Sequence, residues 1–168
     1  MKGNIRKISD IDYREGNYVI IDGKKLLNMS SNDYLSISTD RDLLNEFLEE
    51  KSSDKEFLMS SASARLLSGT SSVYKRVEKL LANMFNKDSA LIFNTGYQCN
   101  LGVISALYKK GDVIFSDKLN HASINAGLKL SGADFYRYKH LDYEHLESFL
   151  KMHRDKYNKA LIISESVF

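Results

Sequence analysis

Apolar positions along this chain change their rhythm near Ser72. Before it the apolar runs are short. Tyr18 to Ile21 and Lys24 to Leu27 flank Asp22-Gly23, a dipeptide that turns a two-stranded hairpin because both of its residues tolerate positive φ. Leucines at 43, 44 and 48, with acids between them, predict a short amphipathic helix over 40–51. A serine-rich stretch, SSDKEFLMSSASARLLSGTSS, follows; its composition suits a flexible linker and a site-lining loop equally. From Ser72 the pattern becomes regular. Val73, Val77, Leu80, Leu81, Met84 and Phe85 fall at helical spacing and predict one buried stripe. Strand-length apolar runs at 89–93, 112–116, 134–138 and 159–164 then alternate with helical patterns at 97–108, 121–131 and 142–157. The last run is almost wholly apolar at its centre, the mark of a strand covered on both faces. Short strands joined by helical crossovers predict an α/β fold, a mainly parallel sheet with helices on both faces. Residues 1–50 read as an arm, hairpin and short helix, and 51–168 as the start of the larger domain.

Ligands of such sheets collect beyond the carboxyl ends of the strands, and polar groups cluster there in this chain. The run Ala90 to Phe93 breaks at Asn94-Thr95-Gly96, and a helical pattern begins at once with Tyr97, Leu101, Ile104 and Leu107. Free N–H groups and the positive helix end converge there on a spot that suits a phosphate, with Gly96, Tyr97 and Gln98 as candidates. A glycine near a helix start is also an ordinary turn device. Val113, Ile114 and Phe115 give way to SDKLNHAS, which delivers His121 to the same edge of the sheet. A phosphate cup beside a planar imidazole suggests a phosphorylated aromatic cofactor. Equally, His121 reads as a helix cap and nothing more, and Ser123 in the first turn is commonly a cap too. Glu165, just past the last strand, is either at the solvent rim or held by donors in a cleft. Asn32 reads by itself as an Asx turn within SSNDYLS.

The segments SSNDYLS, SARLLSGTSSVYKRVEKLLANMF, LIFNTGYQCNLGVISAL, SDKLNHASI and SESVF, taken in order, resemble the successive blocks of the α-oxoamine synthases. Members of that family use pyridoxal phosphate to condense an amino acid with an acyl thioester, releasing carbon dioxide. The resemblance runs from about Asn28 to Phe168. It implies the N-terminal part of the large domain of a fold-type I pyridoxal-phosphate transferase, like that of aspartate aminotransferase, acting as a homodimer. It also implies roles for particular residues: Gly96 and Tyr97, with Gln98, at the cofactor phosphate; His121 stacked on the pyridine ring and assisting proton transfer; Ser123 at the cofactor's edge. Glu165 and Asn32 would orient the amino acid, and Arg65 would contact substrate. Among the branches, SSNDYLS and ARLLSG modestly favour the one that joins L-alanine to a pimeloyl thioester; the glycine, aminolevulinate and serine branches stay open. The family's Schiff-base lysine, pyridine-nitrogen aspartate and late arginine are expected beyond Phe168, so that these residues alone would be inactive or would need a complementing chain. Departures stand out at two places: Ser36 where the family commonly has glycine, and Ala62 and Ala64 within SSASAR where it has glycine-rich patterns.

Composition narrows the field further. With 24 basic against 22 acidic residues the net charge is +2, and the basic residues are scattered, which gives no argument for nucleic acid or an anionic membrane. No apolar run approaches the ~20 residues of a membrane span, and the N-terminus lacks a signal-peptide core. The single cysteine, Cys99, lies inside an apolar helical pattern and cannot form an internal disulfide. A reducing, cytoplasmic setting fits. His140, His145 and His153 lie at a strand exit and along a polar helical face, and no metal site is expected from them.

Overall fold

The computed structural model describes residues 8–168, so the arm expected at the N-terminus falls partly outside the described residues. Two compact units divide the chain, the first ending at Val77 and the second spanning Glu78–Phe168.

In the first unit the hairpin is part of a three-stranded antiparallel sheet: β1 (Tyr13–Glu15), β2 (Tyr18–Ile21) and β3 (Lys24–Leu27). The β2–β3 turn has φ of 50° at Asp22 and 71° at Gly23, the left-handed pair that matches the twist of adjoining strands. Gly23 N–H donates to Asp12 Oδ2 at 3.1 Å, and Asp12 N–H donates to the Ile20 carbonyl at 2.9 Å. These bonds draw residues 12–15 alongside β2, where the sequence pattern alone predicted only an irregular arm. Helix α1 (Arg41–Lys51) begins one residue inside its predicted range, with Asp40 accepting from Leu43 N–H as its N-cap. The serine-rich stretch closes on a wide turn, Arg65–Gly69. A Cβ on Gly69 would come 1.9 Å from the Ser63 carbonyl oxygen, so only glycine fits there. Of these departures from family glycines, Ser36 and Ala62 keep a glycine-like backbone, with φ of 56° and 55°, whereas Ala64 is extended at φ −66°.

Helix α2 (Ser72–Met84) forms as its spacing predicts, but its stripe is not buried. Val73 and Val77 are more than one-third exposed and Met84 and Phe85 about two-thirds, and only Ala82 of this helix is buried. Periodicity tells which face is apolar; a covering partner must come from elsewhere.

The second unit carries the predicted parallel sheet. It holds three strands in the order β5 (Asp134–Tyr138), β4 (Val113–Asp117), β6 (Ala160–Ile163), with Val113 level with Asp134 on one side and with Ala160 on the other. Central β4 is buried along its whole length. Ile114 packs on one face with Ile104 of α3 (Gly96–Leu107) and Ile124 and Leu128 of α4 (Ala122–Ser131). Val113, Phe115 and Tyr138 pack on the other with Leu146, Phe149 and Leu150 of α5 (Tyr143–His153). Alternation along β4 therefore sends successive side chains to helices on opposite faces. Helices α3 and α4 approach closely at Gly127, where an added Cβ would lie 3.0 Å from the Asn100 carbonyl oxygen.

One expectation fails here. Residues 89–93 are not a strand: they join neither sheet, and the Ile92 N–H donates to the Glu78 carboxylate at 2.9 Å. An apolar run becomes a strand only beside another strand. Strand β6 lies at the edge of the sheet among the described residues, with Leu161 and Ile163 packed on one face, Ala160 on the other, and Ile162 half exposed.

Candidate functional site

The carboxyl end of β4 runs into a loop, Lys118 to His121, whose backbone is held by side chains from four directions. Asp117, buried at the strand's last position, accepts from Leu119 N–H at 2.8 Å and from His140 Nδ1 at 3.1 Å. Burial, the largest single influence, pushes the Asp117 carboxyl up; the Leu119 N–H and the His140 imidazole outweigh it and hold it below the ordinary carboxylate value. Asn120, also buried, donates through Nδ2 to Ser116 Oγ at 3.0 Å and to the Ile163 carbonyl at 2.9 Å, tying the loop to both β4 and β6. A carbonyl can only accept, so the amide's orientation is settled by Ile163. Its Oδ1 is buried and has no partner among the described residues. Asn125 Nδ2 donates to the Asn120 carbonyl at 3.0 Å, and Asn125 Oδ1 accepts from Arg137 at 2.8 Å. Glu165 completes the ring: its carboxylate accepts from the His121 backbone N–H at 2.5 Å. Of its two predicted settings, Glu165 takes the one held by a donor.

His121 emerges from this loop as the N-cap of α4, with Nδ1 accepting from Ser123 N–H. The capping reading is thus realised, while the remainder of the exposed ring lies open. Ser123 is fully buried; its hydroxyl lies 2.7 Å from His121 Nδ1 and accepts from Asn100 Nδ2 at 2.9 Å. Both sides of that hydroxyl are therefore engaged within the protein. Across from His121 stands the start of α3. Thr95 is its N-cap, with Oγ1 accepting from Gln98 N–H at 3.1 Å. The N–H groups of Gly96 and Tyr97 find no acceptor among the described residues, and the space over Gly96 is open to 4 Å. Tyr97 and His121 meet edge to face at 6.3 Å between ring centroids. Two unpaired amides at a positive helix end, beside an exposed imidazole, fit a phosphorylated planar ring.

Asn32 and Arg65 belong to the first unit. Asn32 is exposed, and the turn bonds around it are made by its neighbours: Ser31 Oγ accepts from Asp33 N–H and Asn28 Oδ1 from Ser30 N–H. Arg65 lies over the Tyr74 ring at 4.4 Å. The other histidines are engaged locally, His145 Nδ1 accepting from Lys139 N–H and His153 stacking on Tyr136 at 3.9 Å. Among the described residues no group of three or more His, Cys, Asp or Glu is placed to hold a metal ion. Nor, among them, is any helix long and apolar enough to cross a membrane. Sequence reasoning missed Asp117 and Asn100. Asn100 had a legible signal, a polar side chain four residues before Ile104 on the buried face of α3.

This sequence matches the family Aminotransferase class I and II over residues 24–168. The chain belongs to that family. Its relatives include a putative 8-amino-7-oxononanoate synthase of Glaesserella parasuis, 45% identical over 99% of this chain and 43% of that protein. The 8-amino-7-oxononanoate synthase of Haemophilus ducreyi is 41% identical over 97% of this chain and 42% of the relative. The chain thus spans less than half the length of the curated relatives it matches. Among solved structures, a lysine-to-alanine variant of serine palmitoyltransferase from S. paucimobilis, with a bound pyridoxal phosphate–myriocin aldimine, is 27% identical at a TM-score of 0.76, covering 89% of this chain and 38% of that one. An 8-amino-7-oxononanoate synthase from Francisella tularensis is 30% identical at a TM-score of 0.57, covering 77% of this chain and 35% of that one. The resemblance to the α-oxoamine synthases is borne out by these relatives, and with it the α/β fold and pyridoxal phosphate as the cofactor.

Proposed function

We propose that the chain supplies the cofactor-phosphate and ring-stacking part of an 8-amino-7-oxononanoate synthase, which joins L-alanine to a pimeloyl thioester with loss of carbon dioxide. The observation that carries this reading is the placement of the unpaired Gly96 and Tyr97 amides beside the exposed His121 ring, in a chain 45% identical to a relative of that name. When bound, pyridoxal phosphate supplies an electron sink for negative charge at the substrate's α-carbon. Gly96 and Tyr97 hold the phosphate through backbone N–H groups, and the Thr95 cap on Gln98 keeps that first turn in register. His121 offers its flat face to the pyridine ring and its outward nitrogen to the reacting atoms. Glu165, through the His121 N–H, fixes where that ring stands. Asn32 and Arg65 are assigned to substrate on the resemblance alone, and so is a homodimer.

A second reading, a serine palmitoyltransferase-type sister, is favoured by the higher structural overlap, a TM-score of 0.79 for one such structure with the cofactor. At 26% identity that likeness ranks below the oxononanoate synthases. Parallel assays of the complete enzyme with acetyl, succinyl, palmitoyl and pimeloyl thioesters decide between them, and a preference for any of the first three overturns the oxononanoate assignment. In the same enzyme His121→Ala should lower turnover by ~10²-fold or more, the lower range for acid–base assistance. A near-normal rate would leave His121 as a helix cap and nothing else.

A further inference from the structure

The proton on His121 is placed by its neighbours. Ser123 N–H points at Nδ1 from 3.2 Å. A backbone amide only donates, so the atom it faces is an acceptor; a ring turned over would present a carbon there instead. The Ser123 hydroxyl lies 2.7 Å from the same nitrogen, and with Nδ1 already an acceptor the hydroxyl must be the donor. That hydroxyl in turn accepts from Asn100 Nδ2 at 2.9 Å. Two donors therefore run in one direction, from the amide of Asn100 on α3, through the buried hydroxyl of Ser123 on α4, to Nδ1 of His121.

We propose that Asn100 and Ser123 are positioning residues that lock the neutral His121 ring in the tautomer carrying its proton on Nε2. Which hydrogen bond one ring nitrogen makes sets what the other can do. The nitrogen left for chemistry is then a hydrogen-bond donor, suited to a substrate oxygen on which negative charge gathers, and unsuited to removing a proton from carbon. No bond other than a hydrogen bond is made or broken by this arrangement. The role at a substrate oxygen rests on the function proposed above; the tautomer rests on the hydrogen bonds alone and is read without any substrate.

The test is a long-range proton–nitrogen spectrum of the chain labelled with 15N in its four histidines, taken in alkaline buffer with His121→Gln to assign the signal. The wild type should show His121 with an unprotonated Nδ1 and a protonated Nε2. Ser123→Ala should shift the tautomer ratio toward Nδ1–H by about five-fold, the factor of one net hydrogen bond, and Ser123→Thr, which restores the hydroxyl, should recover the wild-type ratio. Asn100→Ala should move it the same way by less. A wild-type ring protonated on Nδ1 overturns the proposal whatever the variants do. So does a Ser123→Ala chain with an unchanged ratio. Failure of the pimeloyl assay would leave this result standing, so the two readings fail separately.

Discussion

Asn120 gives the sharpest test of how the histidine loop is held, because its removal sets opposing effects against one another. Asn120→Ala deletes two hydrogen bonds, to Ser116 Oγ and to the Ile163 carbonyl, worth about 1 kcal/mol each. It leaves the Ile163 carbonyl without that donor, a further cost of about 1–3 kcal/mol where water cannot reach it. It also removes Oδ1, which is buried with no partner among the described residues, and that relieves a penalty of the same size. The last two contributions cancel to first order. The net loss should be about 2 kcal/mol, read as a shift of the urea midpoint at unchanged slope. Asn120→Asp keeps the shape but turns the donor into a carboxylate facing the Ile163 carbonyl, so at about pH 7 it should cost more than the alanine variant. Its carboxyl would be raised in the folded state, and a raised group is most favourable below its unfolded value near 3.9. The gap between Asn120→Asp and wild type should therefore narrow as pH falls from about 7 toward 4. An alanine variant within 0.5 kcal/mol of wild type, or an aspartate variant milder than alanine, would refute the bridge between β4 and β6.

Asp117 should shape the acid limb of stability: its folded carboxyl is held below the ordinary value, so its contribution is full above the unfolded pKa and is lost as pH falls through the folded one. Asp117→Asn should lower stability near neutrality and flatten the loss on acidification, and an acid limb as steep as wild type would contradict the assignment. Ala62 sits at φ 55°, which costs a residue with a Cβ about 1–2 kcal/mol, whereas glycine gives back about 0.5–1 kcal/mol in unfolded-state freedom. Ala62→Gly should stabilise by roughly 0.5–1 kcal/mol, the balance of those two effects, and a lower thermal midpoint would refute it. Ser36→Gly should be nearly neutral, because the same relief is offset by losing the 2.6 Å bond from Ser36 Oγ to Asn17. Gly69→Ala should destabilise by about 2 kcal/mol or more, given the 1.9 Å approach to the Ser63 carbonyl, and calorimetry showing no loss would disprove that packing.

Local signals in the sequence determined the elements one by one. Asp22-Gly23 specified a left-handed turn, Asp40 a helix cap, and the apolar runs of 113–116 and 134–138 the strands that do pair. Each depends on a few adjacent residues. The candidate site was legible where an apolar run breaks into a helix start, which is why Gly96, Tyr97 and His121 stood out as candidates. Tertiary structure decided what pairs with what. Residues 89–93 have a strand's composition but no ladder, α2 has an apolar face but no cover, and β6 lies at an edge. Burial and pairing belong to two surfaces at once, and a single segment's pattern specifies only one of them. The same holds for the histidine loop: Asn100 lies 23 residues from Ser123, Asp117 lies 23 from His140, and Glu165 lies 44 from the amide it holds. Only the packing of α3 on α4 and the parallel pairing of β4 with its two neighbours bring those donors and acceptors within hydrogen-bond reach, and with them the direction in which His121 can offer its proton.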